Sequence, residues 1–242
     1  DYKARTKIMG LPKLNSANYE LSLPSTGATI KYRPFLVKEQ KALMIAQESE
    51  DDKVIESTFA QIINDCVEDK VDPYKMPMFD IEYVFLKIRS KSVGEVAELR
   101  VTCPDDEETK VNVSIPLEEV DVQMKENHTN VITLTDDINV IMRYPCLGDM
   151  KGFNALGETK SLFEMVKRCI HEVHDGEEIY RRVDMSEKDL EDFIDSMSSK
   201  NFESVGEFFS SMPKLSYDLE VENPKTKVKS VIPIEGLQSF FE

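Results

Sequence analysis

The sequence holds no run of about eighteen apolar residues, the length that a membrane-spanning helix needs. Its first residues, DYKARTKIMG, have no apolar core of the kind a secretion signal carries. They have no initiating Met either; Met9-Gly10 looks like a natural start, and residues 1–8 read as a leader. Basic residues are scarce, with 30 Lys and Arg against 46 Asp and Glu, a formal net charge of −16. Such a surface repels phosphate backbones and argues against a nucleic-acid partner. It favours solubility and steers the chain toward a basic partner.

The four cysteines, Cys66, Cys103, Cys146 and Cys169, are scattered and never form Cys-x-x-Cys. That usage fits a reducing cytoplasm and not a disulfide framework. Cys66 and Cys169 fall on apolar faces of expected helices, where a free thiol behaves as a small hydrophobe. In such a compartment the sequon Asn127-His128-Thr129 is a chance match.

What is present suffices for a sizeable core. The 242 residues, 40% of them hydrophobic, allow one large domain or two small ones without metal or disulfide staples. Tyr19, Leu21 and Leu23 alternate with polar residues, Pro24-Ser25-Thr26-Gly27 turns the chain, and Ile30 and Tyr32 resume the alternation, which predicts a β-hairpin. Helix-favouring sequence follows from Lys38 to Glu50. The apolar rhythm Val54, Ile55, Phe59, Ile62, Ile63, Cys66 predicts a second helix. A third carries Ile81, Val84, Phe85 and Ile88 and ends near Gly94.

Strand alternation returns at Leu99, Val101, Cys103 and at Val111, Val113, Ile115, with short pieces through Val120–Val122, Val131–Leu134 and Val140–Tyr144. Leu162, Phe163, Met165, Val166, Cys169, Ile170 and Val173 predict a helix. Ser186 and Asp189 form a cap ahead of Leu190, Phe193, Ile194 and Met197. A further helix holds Phe202, Val205, Phe209 and Met212 and stops at Pro213. The fold class is therefore α+β, with antiparallel hairpins packed beside two helical groups, around residues 38–93 and 158–212. An amino-terminal α+β lobe (9–146), a glycine-containing linker (147–157) and a helical lobe ending in a hairpin (158–242) divide it.

Two distant hairpins resemble one another. Leu99, Val101 and Pro104 match Leu219, Val221 and Pro224. After a turn three residues shorter, Lys110-Val111 matches Lys227-Val228 and Ile115-Pro116 matches Ile232-Pro233. Cys-Pro-x-Cys in such a turn is a zinc knuckle, half of a tetrahedral site. Here the first turn keeps only Cys103 and the second has Asn223, so both are degenerate knuckles and no zinc is expected.

Other constellations are weaker. His171-Glu172-x-His174, with Asp175, puts two imidazoles three residues apart on an expected helix. That is a weak divalent-metal candidate without the HExxH spacing of a metalloprotease. Gly148-Asp149-Met150-Lys151-Gly152 lacks the spacing of a phosphate loop and reads as linker. Acidic pairs such as Asp105-Asp106 and Glu118-Glu119 lie in turns, and no cysteine has a His placed to activate it. No catalytic residue, metal ligand or cofactor is assigned. Phe208, Phe209, Leu237, Phe240 and Phe241 are either core anchors or, if exposed, a partner-contact patch.

Three phrases in order, KYRPFLVKEQKALMIAQESED, FDIEYVFLKIRSKSVGE and SEKDLEDFIDSMSSKNFESVGEFFSSMPKLSYDLEV with IEGLQSFFE, resemble the baseplate hub family of T-even-like contractile phages. The similarity runs from Met9 onward and leaves residues 1–8 outside it. Relatives often carry cysteine pairs at the two hairpin turns, from which this sequence departs. The resemblance implies a non-enzymatic structural or assembly protein of the tail baseplate hub, at work in the infected bacterial cytoplasm. Its partners would be other tail and hub proteins, and it would either stay in the virion or leave as a transient chaperone of the tape-measure protein. A metal-dependent enzyme at His171 and His174 is the remote alternative.

Overall fold

The computed structural model describes residues 16–49, 51–150 and 157–240. The first alternating segment closes as expected, β1 (Tyr19–Ser22) pairing antiparallel with β2 (Thr29–Tyr32). Leu21, Leu23, Ile30 and Tyr32 face inward against α2 (Asp52–Cys66) and α3 (Met78–Val93). α2 starts where Asp51 accepts the Lys53 N–H at 2.9 Å, a side-chain cap for one of its orphan donors. Its buried stripe of Ala60, Ile62, Ile63 and Cys66 meets Ile81, Val84, Phe85 and Ile88 of α3, the first of three apolar clusters. Full burial of each such aliphatic side chain stabilises the fold by about 1.5–3 kcal/mol. Helix α1 (Val37–Ser49) lies on α2 and is pinned by Glu39, which is 2% exposed.

The second cluster joins the two similar hairpins. β3 (Val96–Thr102) pairs with β4 (Lys110–Pro116), and β10 (Lys214–Glu222) pairs with β11 (Lys229–Glu235) and with β5 (Asp121–Gln123). Leu99 and Ile115 of one hairpin meet Leu219, Val221 and Ile234 of the other, with Leu86 of α3 and Phe240 between them. Lys87 of α3 ties its helix to the chain after β4. Its ammonium donates to the carbonyls of Leu117, Glu118 and Val120 at 3.2, 2.9 and 2.9 Å, which engages all three donors.

The third cluster belongs to a four-stranded antiparallel sheet ordered β6 (Val131–Thr133), β7 (Ile138–Met142), β8 (Ile170–Asp175), β9 (Glu178–Arg181). It is packed by α4 (Glu158–Cys169), α5 (Glu187–Asp195) and α6 (Ser199–Ser211). The Ser186–Asp189 capping box is formed in full, and the Ser198 side chain caps α6 by accepting the Asn201 N–H at 3.2 Å.

One helix is shorter than its periodicity predicts. α4 stops at Cys169, and Ile170–Asp175 is strand β8, so His171 and His174 are not on a helix. The cause is a bulge: Met142 pairs with Ile170 and Ile141 with Glu172, leaving His171 as the extra residue. That insertion lets Ile170 and Val173, three apart, both face the core, which imitates a helical stripe in the sequence.

Of the stretch read as a linker, Leu147–Met150 form a 3-10 turn and residues 151–156 lie outside the described residues. Within that turn Asp149 receives two bonds from the Arg143 guanidinium, at 2.6 and 2.7 Å, and one from the Cys146 N–H at 2.8 Å. A Cβ at Gly148 would stand 2.9 Å from the Tyr74 carbonyl oxygen, so this close approach requires glycine.

Candidate functional site

Three hairpin turns share one construction, and two of them touch. In Cys103-Pro104-Asp105-Asp106-Glu107 the fifth residue has φ +54° and donates its N–H to the Cys103 carbonyl at 3.0 Å. In Asn223-Pro224-Lys225-Thr226-Lys227 the fifth residue has φ +63° and bonds the Asn223 carbonyl at 2.9 Å. Leu23-Pro24-Ser25-Thr26-Gly27 repeats it, with φ +69° at Gly27 and a bond of 2.8 Å to Leu23. The proline at the second position presets φ for the turn, and the fifth residue closes it from the left-handed region. The turns at Leu23 and Asn223 also share Thr at the fourth position, Thr26 and Thr226, a signal that links the amino-terminal hairpin to the last one.

The observed register also corrects the alignment of the two similar hairpins. Thr102 pairs with Lys110 and Glu222 with Lys229, so residues 103–109 and 223–228 are the loops, one residue different in length, not three. Lys110 therefore corresponds to Lys229 and Ile115 to Ile234. The shift is two residues, which keeps the same face of the strand.

A carboxylate from one turn joins it to the other. Asp105 accepts the Asn223 side-chain amide at 3.0 and 3.1 Å and also the Thr226 hydroxyl. Asn223 is 1% exposed, and its own oxygen accepts the Lys225 N–H at 2.9 Å. Asp106 accepts the Thr109 N–H at 2.9 Å and its hydroxyl at 2.6 Å. These bonds hold both carboxyls below the usual range, Thr226 and then Asn223 acting on Asp105, and Thr109 on Asp106. The corners that a Cys-Pro-x-Cys pair in each turn would occupy are thus Cys103, Asp106, Asn223 and Thr226. Among the described residues no group of three or more His, Cys, Asp or Glu is placed to hold a metal ion.

The other sequence candidates are dispersed. His171 is the bulged, exposed residue of β8, whereas His174 is bonded to Glu172 at 2.9 Å. Phe208 is 1% exposed, stacks on Tyr144 at 5.6 Å and meets Phe209 edge-on at 5.1 Å. Phe240 is 0% exposed in the second cluster, so Phe208 and Phe240 are core anchors and do not form an exposed patch. Leu237 and Phe209 are half-buried, and Phe241 lies outside the described residues. Burial pushes the Cys66 thiol up to about 11 and the Cys169 thiol up to about 12, away from the reactive thiolate form.

Some of the exposed large apolar side chains lie on α1. Val37, Met44 and Ile45 are 80%, 55% and 54% exposed on the helix whose opposite side carries buried Glu39 and Ala46. The run Ala42-Leu43-Met44-Ile45-Ala46 has no single stripe, and that signal was open to reading in the sequence.

The family model of the T4 bacteriophage base plate protein matches residues 16–242. No curated protein and no solved structure matches the chain.

Proposed function

The chain belongs to the T4 bacteriophage base plate protein family, and on that premise we propose that it is a structural or assembly component of the baseplate hub. It works through protein–protein contacts and carries out no chemistry of its own. It meets its partners, other tail and hub proteins, in the infected cytoplasm and takes its place with them in the tail baseplate. The observation that carries this reading beyond the family is the outer face of α1, where Val37, Met44 and Ile45 stand in solvent on a packed helix. Large apolar side chains left in solvent on a packed helix favour a contact with a partner. The buried thiols of Cys66 and Cys169, held in their neutral form, give no support to a thiol-dependent enzyme.

Mass spectrometry of purified tails beside baseplate intermediates from infected cells tests the proposal. The chain is expected in both, at fixed copy number. Its presence only in intermediates would make it a transient factor, such as a chaperone of the tape-measure protein. Absence from both would overturn the reading. Met44→Asp with Ile45→Asp is expected to leave the fold intact and to reduce incorporation.

A further inference from the structure

A cleft opens beside Glu82. The first turn of α3 supplies Met78, Phe79 and Glu82, the α6–β10 junction supplies Met212, Pro213 and Lys214, and β11 ends there at Glu235. Between them lies a cleft of about 290 Å³. That volume stands at the lower end of the range of small-molecule sites, about 300 to 1,000 Å³, and leaves room for one long side chain.

The lining has a clear polarity of chemistry. Met78, Phe79, Met212 and Pro213 offer apolar surface, while Glu82 and Glu235 offer carboxylates. Lys214, the cation in the lining, is bonded to Glu235 at 3.4 Å. Glu82 accepts the Leu237 backbone N–H and, among the described residues, has no cationic partner acting on it. An ionised carboxylate has room for more than one donor, so the group has unused accepting capacity.

We infer that this cleft receives an arginine or lysine side chain from a neighbouring protein, its methylene stem on Met78, Phe79, Met212 and Pro213 and its charged head on Glu82. Long cationic side chains bury their stems on apolar surface in this way, and the net charge of −16 favours a basic partner. Burial pushes the Glu82 carboxyl up to about 7, with the Leu237 N–H acting in the opposite direction. An incoming cation offsets that burial and draws the carboxyl into its ionised form. The inference rests on the contact-protein reading above, yet its test uses the isolated chain and is independent of where the chain resides in the phage.

The probe is n-butylguanidinium, followed by NMR of ¹³C-labelled methionine methyls, with neutral n-pentanol as control. Saturable shifts at Met78 and Met212 are expected from the guanidinium and not from the alcohol. Binding is expected to tighten between about pH 6 and about pH 8, as Glu82 ionises, and to weaken about ten-fold or more in Glu82→Gln, which keeps an acceptor for Leu237. Equal binding of the alcohol, equal binding to Glu82→Gln, or no saturable shift at either methionine would each overturn the inference.

Discussion

The carboxylate of Asp105 accepts the Asn223 amide on each of its two oxygens, at 3.0 and 3.1 Å, across 118 positions of sequence. This contact fastens the turn of one hairpin to that of its counterpart. Asn223→Ala is expected to cost about 1–3 kcal/mol, because it breaks the fastening at a buried position. Asp105→Ala should act in the same direction, and the double variant should cost less than the sum. Urea denaturation of the four proteins measures this; full additivity would mean that the two residues act independently.

Lys87 holds three carbonyls after β4 with one ammonium. Lys87→Met keeps the stem and removes the donors. It is expected to lower stability by about 2–3 kcal/mol, the order for charged hydrogen bonds left unmade. Hydrogen exchange should show faster opening around residues 117–123 than in the helix itself.

Glu39 carries the expected acid sensitivity. Burial alone would raise its carboxyl, but bonds from Arg33, the Leu36 N–H and Lys38 hold it at about 2. A folded value below the unfolded 4.5 means that its contribution is present above pH 4.5 and is lost as pH falls toward about 2. Glu39→Gln should lose stability at neutral pH and show a flatter acid limb in denaturation followed by circular dichroism. An unchanged acid limb would assign the effect to other carboxylates.

Phe208 and Phe209 are adjacent in sequence and unequal in burial. Phe208→Ala is expected to cost about 3–5 kcal/mol, the range for removing a buried aromatic side chain. Phe209→Ala should cost clearly less. Similar losses for the two in thermal denaturation would contradict their placement.

The thiols should be slow. Cys66, Cys103 and Cys169 are buried, and Cys146 is half-buried with its S–H bonded to Asp149 at 3.0 Å. At neutral pH a thiol-specific dye is therefore expected to react first at Cys146, slowly, and with the other three only on unfolding. A fast phase at Cys66 or Cys169 would show that the core opens there.

Much of the fold was legible because local chemistry and burial agree. The Ser186–Asp189 cap, the alternation of Tyr19–Tyr32 and the Pro213 stop each act over a few residues, and each appears where the sequence places it. β8 was misread because a bulge at His171 gives a strand the spacing of a helix. The alignment of the two similar hairpins was off by two residues in their second strands because a two-residue slip leaves every side chain on its original face.

By itself, then, the sequence determined the acidic excess and most of the elements with their caps and turns, since the latter follow from neighbours a few positions apart. Only the tertiary structure decided that Asp105 meets Asn223, that Phe208 is core while Met44 is surface, and that Glu82 lies in a cleft. Those are matters of which residues exclude water together, and partners more than a hundred positions apart leave no periodic trace in the chain.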